Sequence, residues 1–273
     1  MRFPNGIRKI IDRYREKIEA VSGGHVDWQN PLGCGSYGCV FPLWDRDPGF
    51  DQVPNLARPL DRVLKISTDP TEGPVVSAIM KTKLDKRLNG LARWYGVWRI
   101  PEPIQKGPRG TGWVIVREEV KPFKYNDFAS WDQTHANTWI DELRRYNKYT
   151  RQELQAKTER GKEKNFDEAQ QAVGQLYNNH GTYYIAEAIE LLRREGIILA
   201  DVHQGNLGTR IHATEDQPLE QAWWEDQKER PPLLIFDPGH SSAPKDTTVE
   251  DLWAVAGAAN PWMGGEARQI ETL

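Results

Sequence analysis

From residue 127 to residue 195 the sequence holds no proline and is crowded with Gln, Glu, Arg, Lys and Ala. Helix is the one economical structure for such a stretch, because these residues lose little on entering a helix and nothing interrupts the ladder. Within it, Ile185, Ala188, Ile189 and Leu192 form an apolar stripe at helical spacing, while residues 153–172 are almost wholly polar and read as a solvated helix or an excursion. The chain before Pro122 has a different character. Ile7, Ile10, Ile11, Tyr14, Ile18 and Val21 mark an amphipathic helix over 7–21, ended by Ser22, Gly23 and Gly24. Leu32–Phe41, Arg62–Ile66 and Gly112–Glu118 then read as strands. Residues 42–61, rich in Pro and Asp, read as a surface loop, and Pro74–Leu84 as a helix. Ile197–Leu199 and Leu233–Phe236 add two short β-like segments. The expectation is an α+β chain: a helix over 1–25, a small β-rich part over 26–120 and a larger helical part over 121–273.

Composition removes several function classes. The 273 residues carry 36 Lys plus Arg against 39 Asp plus Glu, a formal charge of −3, without the basic surplus of a general nucleic-acid binder. Apolar residues make up 38%, the 23 glycines bring that to about 46%, an ordinary globular share, and no run approaches the ~18 apolar residues that span a bilayer. The first residues are charged throughout and show no secretory core. Cys34 and Cys39 are the only cysteines and supply too few ligands for a zinc site, so a reducing, cytoplasmic compartment is expected. The 11 tryptophans are scattered from Trp28 to Trp262 and read as packing residues, with the Trp223–Trp224 pair a candidate docking feature.

Residues 32–40 read Leu-Gly-Cys-Gly-Ser-Tyr-Gly-Cys-Val. Gly33, Gly35 and Gly38 around Ser36 and Tyr37, with Val40 two residues on, suit a turn whose backbone amides approach phosphate oxygens. A hairpin needing positive φ explains the same string. Lys65 lies inside the apolar run Val63-Leu64-Lys65-Ile66, where a lysine needs a partner. It either snorkels from a strand edge or reaches nucleotide phosphates while a helix carboxylate holds it. Among Asp69, Glu72, Asp85 and Glu102, Glu72 is the candidate partner, at the start of the following helix. It could equally serve only the helix dipole. Leu199-Ala200-Asp201-Val202-His203-Gln204-Gly205-Asn206 puts an Asp and an Asn on one loop, suited to dividing proton acceptance from metal ligation. Asp237, at the end of Leu233–Phe236, suits Mg²⁺ that also takes phosphate oxygens. Each of these two is also an ordinary turn sequence.

The order of these signals over residues 30–257 resembles the protein-kinase fold superfamily. That resemblance implies a two-lobed fold, with a small antiparallel-sheet N-lobe and a reduced helical C-lobe. It implies that Gly33, Gly35, Ser36, Tyr37, Gly38 and Val40 cover ATP and that Lys65, held by Glu72, pairs with its phosphates. Glu118, Glu119 and Val120 would be the hinge facing adenine. Asp201 would be the catalytic base, and Asn206 and Asp237 would hold Mg²⁺. Asp251-Leu252-Trp253-Ala254-Val255-Ala256-Gly257 is similar to the helix start that anchors the catalytic loop from below.

The departures point to an atypical, minimal member of bacterial or phage type. Leu199-Ala200-Asp201 stands where the family has His-Arg-Asp, so the clamp for a phosphorylated activation loop is missing. His203 replaces the usual lysine of Ser/Thr kinases and resembles aminoglycoside and choline kinases. Asp237 and Asp251 are too close for a peptide-docking platform. The implied function is an ATP-dependent kinase acting on a Ser or Thr of a protein substrate. A small-molecule kinase and a pseudokinase binding module are the alternatives. No membrane or nucleic-acid partner is expected.

Overall fold

In the computed structural model of this chain the described residues are 3, 5–44, 59–100, 111–123, 133–178, 181–211 and 233–252. They form a mixed α+β structure, with five α-helices and two antiparallel sheets among them. Most of the 42–61 loop, Trp223, Trp224 and residues 253–257 lie outside this set. Two compact units divide the chain: Met1–Gly73, Trp94–Glu118 and Thr248–Leu273 make the first, Pro74–Arg93 and Glu119–Thr247 the second. Compared with the boundaries at residues 25 and 120, residues 74–93 group with the later part and residues from 248 onward with the earlier one. Among the described residues no helix is long and apolar enough to cross a membrane.

The first unit opens with α1 (Asn5–Ser22) and carries a sheet of β1 (His25–Val26), β2 (Gly33–Cys34), β3 (Gly38–Trp44), β4 (Pro59–Ser67), β5 (Trp94–Ile100) and β6 (Gly112–Glu118). Its order is β1-β3-β4-β6-β5, with β2 pairing on β3. Alternation along the strands sorts the residues by face. Cys39, Phe41, Leu43, Leu64, Ile66, Val114 and Val116 join Ile7, Ile10, Tyr14, Ile18 and Val21 of α1 in one core, together with Leu252. Each fully buried Ile or Leu there contributes roughly 2 kcal/mol. Lys65, one residue out of phase, belongs to the other face.

Cys34 and Cys39 are not the free thiols expected: they form a disulfide. They are directly opposite each other in the β2–β3 pairing, with Cα atoms 4.1 Å apart, so the hairpin that brings the glycines together also brings the sulfurs together. Strand β5 went unread although its burial alternates, with Trp94, Gly96, Trp98 and Ile100 inward and Arg99 exposed.

In the second unit, α3 (Gln133–Gln155), α4 (Glu159–Tyr177) and α5 (Tyr183–Arg194) account for the proline-free stretch. The polar segment 153–172 is not one helix. It breaks at Ala156–Thr158, where Thr158 caps α4 by accepting a hydrogen bond from the Gly161 amide. Helix α4 then buries Ala169, Ala172, Val173 and Leu176. A second sheet runs β7 (Val120–Pro122), β8 (Leu207–Arg210) and β9 (Leu234–Ile235), in that order. Ile197–Leu199 is not a strand. Its pairing is an isolated bridge between Ile198 and Ser242.

Candidate functional site

The expected site residues fall into two groups, one within each unit. In the first unit, Gly33 pairs with Val40, Val40 with Lys65 and Lys65 with Ile115, a single line of register across β2, β3, β4 and β6. Directly opposed residues share a face, so the lysine side chain and the hairpin arm are on the same side of the sheet. Strand β4 ends at Ser67 and a tight turn follows. Asp69 caps it, accepting hydrogen bonds from the Thr71 amide and hydroxyl at 2.9 and 2.8 Å. Helix α2 (Glu72–Thr82) starts at once with Glu72. That short connection is how residues seven apart in sequence meet: Lys65 Nζ is 2.6 Å from Glu72 Oε1, and both are buried. Glu72 thus pairs with the lysine while also occupying the acidic first turn of its helix, and the two readings of it coexist.

The glycine hairpin is held at its base and tip. The Gly35 amide donates to Gly38 O at 2.8 Å, and the Thr68 amide and hydroxyl donate to Tyr37 O at 2.6 and 3.0 Å. Positive φ is not the reason for these glycines. Among described glycines only Gly23 and Gly196 have it. Gly38 is required by close approach, since a Cβ there would be 2.5 Å from Ile66 O. A Cβ on Gly33 or Gly35 would meet nothing within 4 Å. The fold therefore gives no intramolecular reason for glycine at either position. Ser36 is exposed beside them. Glu119 follows the last residue of β6, and Val120 opens β7 opposite Arg210.

In the second unit, the loop 199–206 is fixed almost entirely through its backbone. Tyr146 Oη donates to Leu199 O at 2.7 Å, and Arg151 Nε to Ala200 O at 2.9 Å. The Ala200 amide donates to Ser241 Oγ at 3.1 Å. Asn147 forms a two-way pair with Val202, donating to its carbonyl at 2.7 Å and accepting from its amide at 2.9 Å. Asn206 Nδ2 donates to Asp201 O at 2.8 Å, which closes the loop on itself. The anchor is therefore α3, which precedes the loop in sequence. Asp251, expected to play that part, instead belongs to the first unit and is ion-paired with Arg99 at 2.6 Å.

Asn147 and Arg151 were missed in the sequence. The signal was there: Asn147 and Thr150 interrupt the buried stripe Trp139, Leu143, Tyr146, and a buried polar residue needs a partner.

The Asp201 carboxylate is ion-paired with Arg151 through Oδ1, and Oδ2 is 3.6 Å from His203 Nε2. His203 Nδ1 accepts from the Gly205 amide at 3.0 Å, which leaves the Nε2 edge toward Asp201. Burial pushes the Asp201 carboxyl up, but His203, Arg151 and His240 outweigh it and hold it below the usual carboxylate range. His203 is raised in turn, chiefly by Asp201 and against the effect of burial. The β8–β9 pairing continues to Asn206 opposite Phe236, the residue before Asp237, with the Phe236 amide donating to Asn206 O at 3.1 Å. Asp237 Oδ1 accepts from the Gly239 amide at 3.2 Å, and His240 follows at a left-handed φ of 54°. An amide and a carboxylate oxygen are hard donors of the kind Mg²⁺ takes in pairs, completing its shell with water and phosphate. Among the described residues no group of three or more His, Cys, Asp or Glu could hold a metal ion.

No protein-family model and no curated protein matches this chain. Among solved structures, a BubR1 kinase domain is similar to it at 15% identity and a TM-score of 0.34, over 78% of this chain and 46% of that one. The chain spans about half the length of that domain. This is a weak likeness of fold that decides nothing about chemistry.

Proposed function

We propose that this chain is a two-lobed, protein-kinase-like phosphotransferase that moves the γ-phosphoryl of ATP to a hydroxyl, in the first instance a Ser or Thr side chain. Lys65 carries the reading. A lysine only 8% exposed, in register with a glycine hairpin and held by a buried glutamate, has the properties of a phosphate ligand kept in place before its substrate arrives. The open positions Gly33 and Gly35 support it, because backbone that must approach a phosphate closely tolerates no Cβ.

In this reading Lys65 is the phosphate ligand and Asp201 the base. That carboxylate is ionised at neutral pH, so it can orient the acceptor hydroxyl and take its proton. The acceptor oxygen bonds to the γ-phosphorus as the bond from that phosphorus to the β–γ bridging oxygen breaks. ADP leaves with the electron pair, and the hydroxyl proton passes to Asp201. Mg²⁺, when bound, would be held by Asn206 and Asp237 and would neutralise phosphate charge.

The test is ADP release and label transfer from Mg²⁺-ATP by the full chain. Asp201→Asn should lower turnover about 10²-fold or more, the usual contribution of a positioned base. Turnover unchanged by Asp201→Asn would put the reaction elsewhere. Nucleotide that raises Tm in a chain that never turns it over would favour the pseudokinase alternative.

A further inference from the structure

The guanidinium of Arg151 has more to do than hold the loop. Its Nε is used on Ala200 O and its Nη2 on Asp201 Oδ1, while Nη1 makes no hydrogen bond among the described residues. The side chain is 53% exposed, whereas that of Asp201 is 16% exposed. The carboxylate is thus recessed and the cation beside it faces solvent. His203 lies on the same loop, its Nε2 3.6 Å from Asp201 Oδ2.

We propose, resting on the phosphotransferase reading above, that Arg151 binds an anionic group of the acceptor, so that the hydroxyl phosphorylated is one carried next to a carboxylate or a phosphate. A hydroxyl that reaches Asp201 brings its neighbouring groups to the free edge of Arg151. There the planar fork favours an oxyanion through charge-assisted hydrogen bonds and disfavours a second cation. The acceptors excluded are therefore the cationic ones, aminoglycosides and choline among them, although His203 at first sight points toward that class. Arg151 is a specificity residue here. Proton acceptance stays with Asp201.

The experiment compares kcat/KM of the full chain, with Mg²⁺-ATP, on three matched peptides in which one Ser is flanked by Glu, by Gln or by Lys, and on glucose 6-phosphate against glucose. Wild type should prefer the Glu peptide over the Gln peptide by about tenfold, the effect of one charge-assisted hydrogen bond, with the difference in KM. Arg151→Gln should reduce that ratio to near one with the KM for ATP unmoved, and Arg151→Lys should restore part of it. Preference among the sugars instead of the peptides would identify a phosphate as the recognised anion. Because Arg151 also fixes the loop, Asn147→Ala serves as the comparison: it loosens the same backbone without altering charge, and should lower kcat on every acceptor while keeping the preference. Turnover without a charge preference in wild type, or a preference that survives in Arg151→Gln, would overturn the assignment of Arg151 alone. No ATP turnover on any acceptor, or without one, would overturn the phosphotransferase reading and this inference with it.

Discussion

Gly33, Gly35 and Gly38 look equivalent in the sequence, and the structure separates them. Gly38→Ala forces a methyl to within 2.5 Å of a backbone oxygen that cannot swing away, and should cost about 1–3 kcal/mol in urea denaturation. Gly33→Ala and Gly35→Ala add a methyl in open space and restrict the unfolded chain. They should leave stability unchanged or raise it by about 0.4–1 kcal/mol. If they face phosphate, the same two variants weaken ATP binding, so calorimetry would show affinity falling with no loss of stability. The Lys65–Glu72 pair was legible because a charged residue inside an apolar strand demands a partner and few acids were near enough. Asn147 was less legible, since its partners are backbone atoms of a loop 55 residues away.

Helix α3 holds the 199–206 loop, a task that the resemblance read in the sequence assigns to the segment beginning at Asp251. Asn147→Ala leaves the Val202 amide and carbonyl without their side-chain partner in a buried place, and should destabilise by about 2–4 kcal/mol. Asp251→Asn removes a half-exposed surface pair and should cost no more than about 1 kcal/mol, with turnover kept. Equal losses of turnover from both would return the anchoring role to the Asp251 segment. Elements with strong periodicity, such as α1 and α5, could be read directly. Strand β5 and the turn that divides α3 from α4 could not, because tryptophans and a glycine blur the alternation of one and a polar surface hides the break in the other.

The two compact units differ in what binds them covalently. The disulfide lies wholly in the first, where closing so short a loop contributes about 2 kcal/mol on the chain-entropy account. A dithiol reductant, or Cys34→Ser, should therefore lower amide protection in β2, β3 and β4 and leave α3, α4 and α5 as protected as before. Hydrogen exchange read by mass spectrometry resolves the two. Equal loss in both units would mean that they unfold as one. Composition along the chain marks a β-rich stretch before a helical one. The assignment of residues from 248 onward to the first unit was not legible, because a contact between Leu252 and a core that begins at Ile7 leaves no trace in local pattern.

That long return of the chain bears on the order in which the molecule is assembled at the ribosome. Tyr146, Asn147 and Arg151 emerge before the loop they hold, so the second unit can complete its support as it is made. The first unit is begun earliest and finished last. Its core waits for Leu252, and β5 waits for the Glu250 carbonyl that accepts from the Arg99 amide at 2.8 Å. From the end of β6 until Leu252 is made, the apolar face shared by α1 and the sheet lacks that side chain, and its closure is a strongly non-local event in folding.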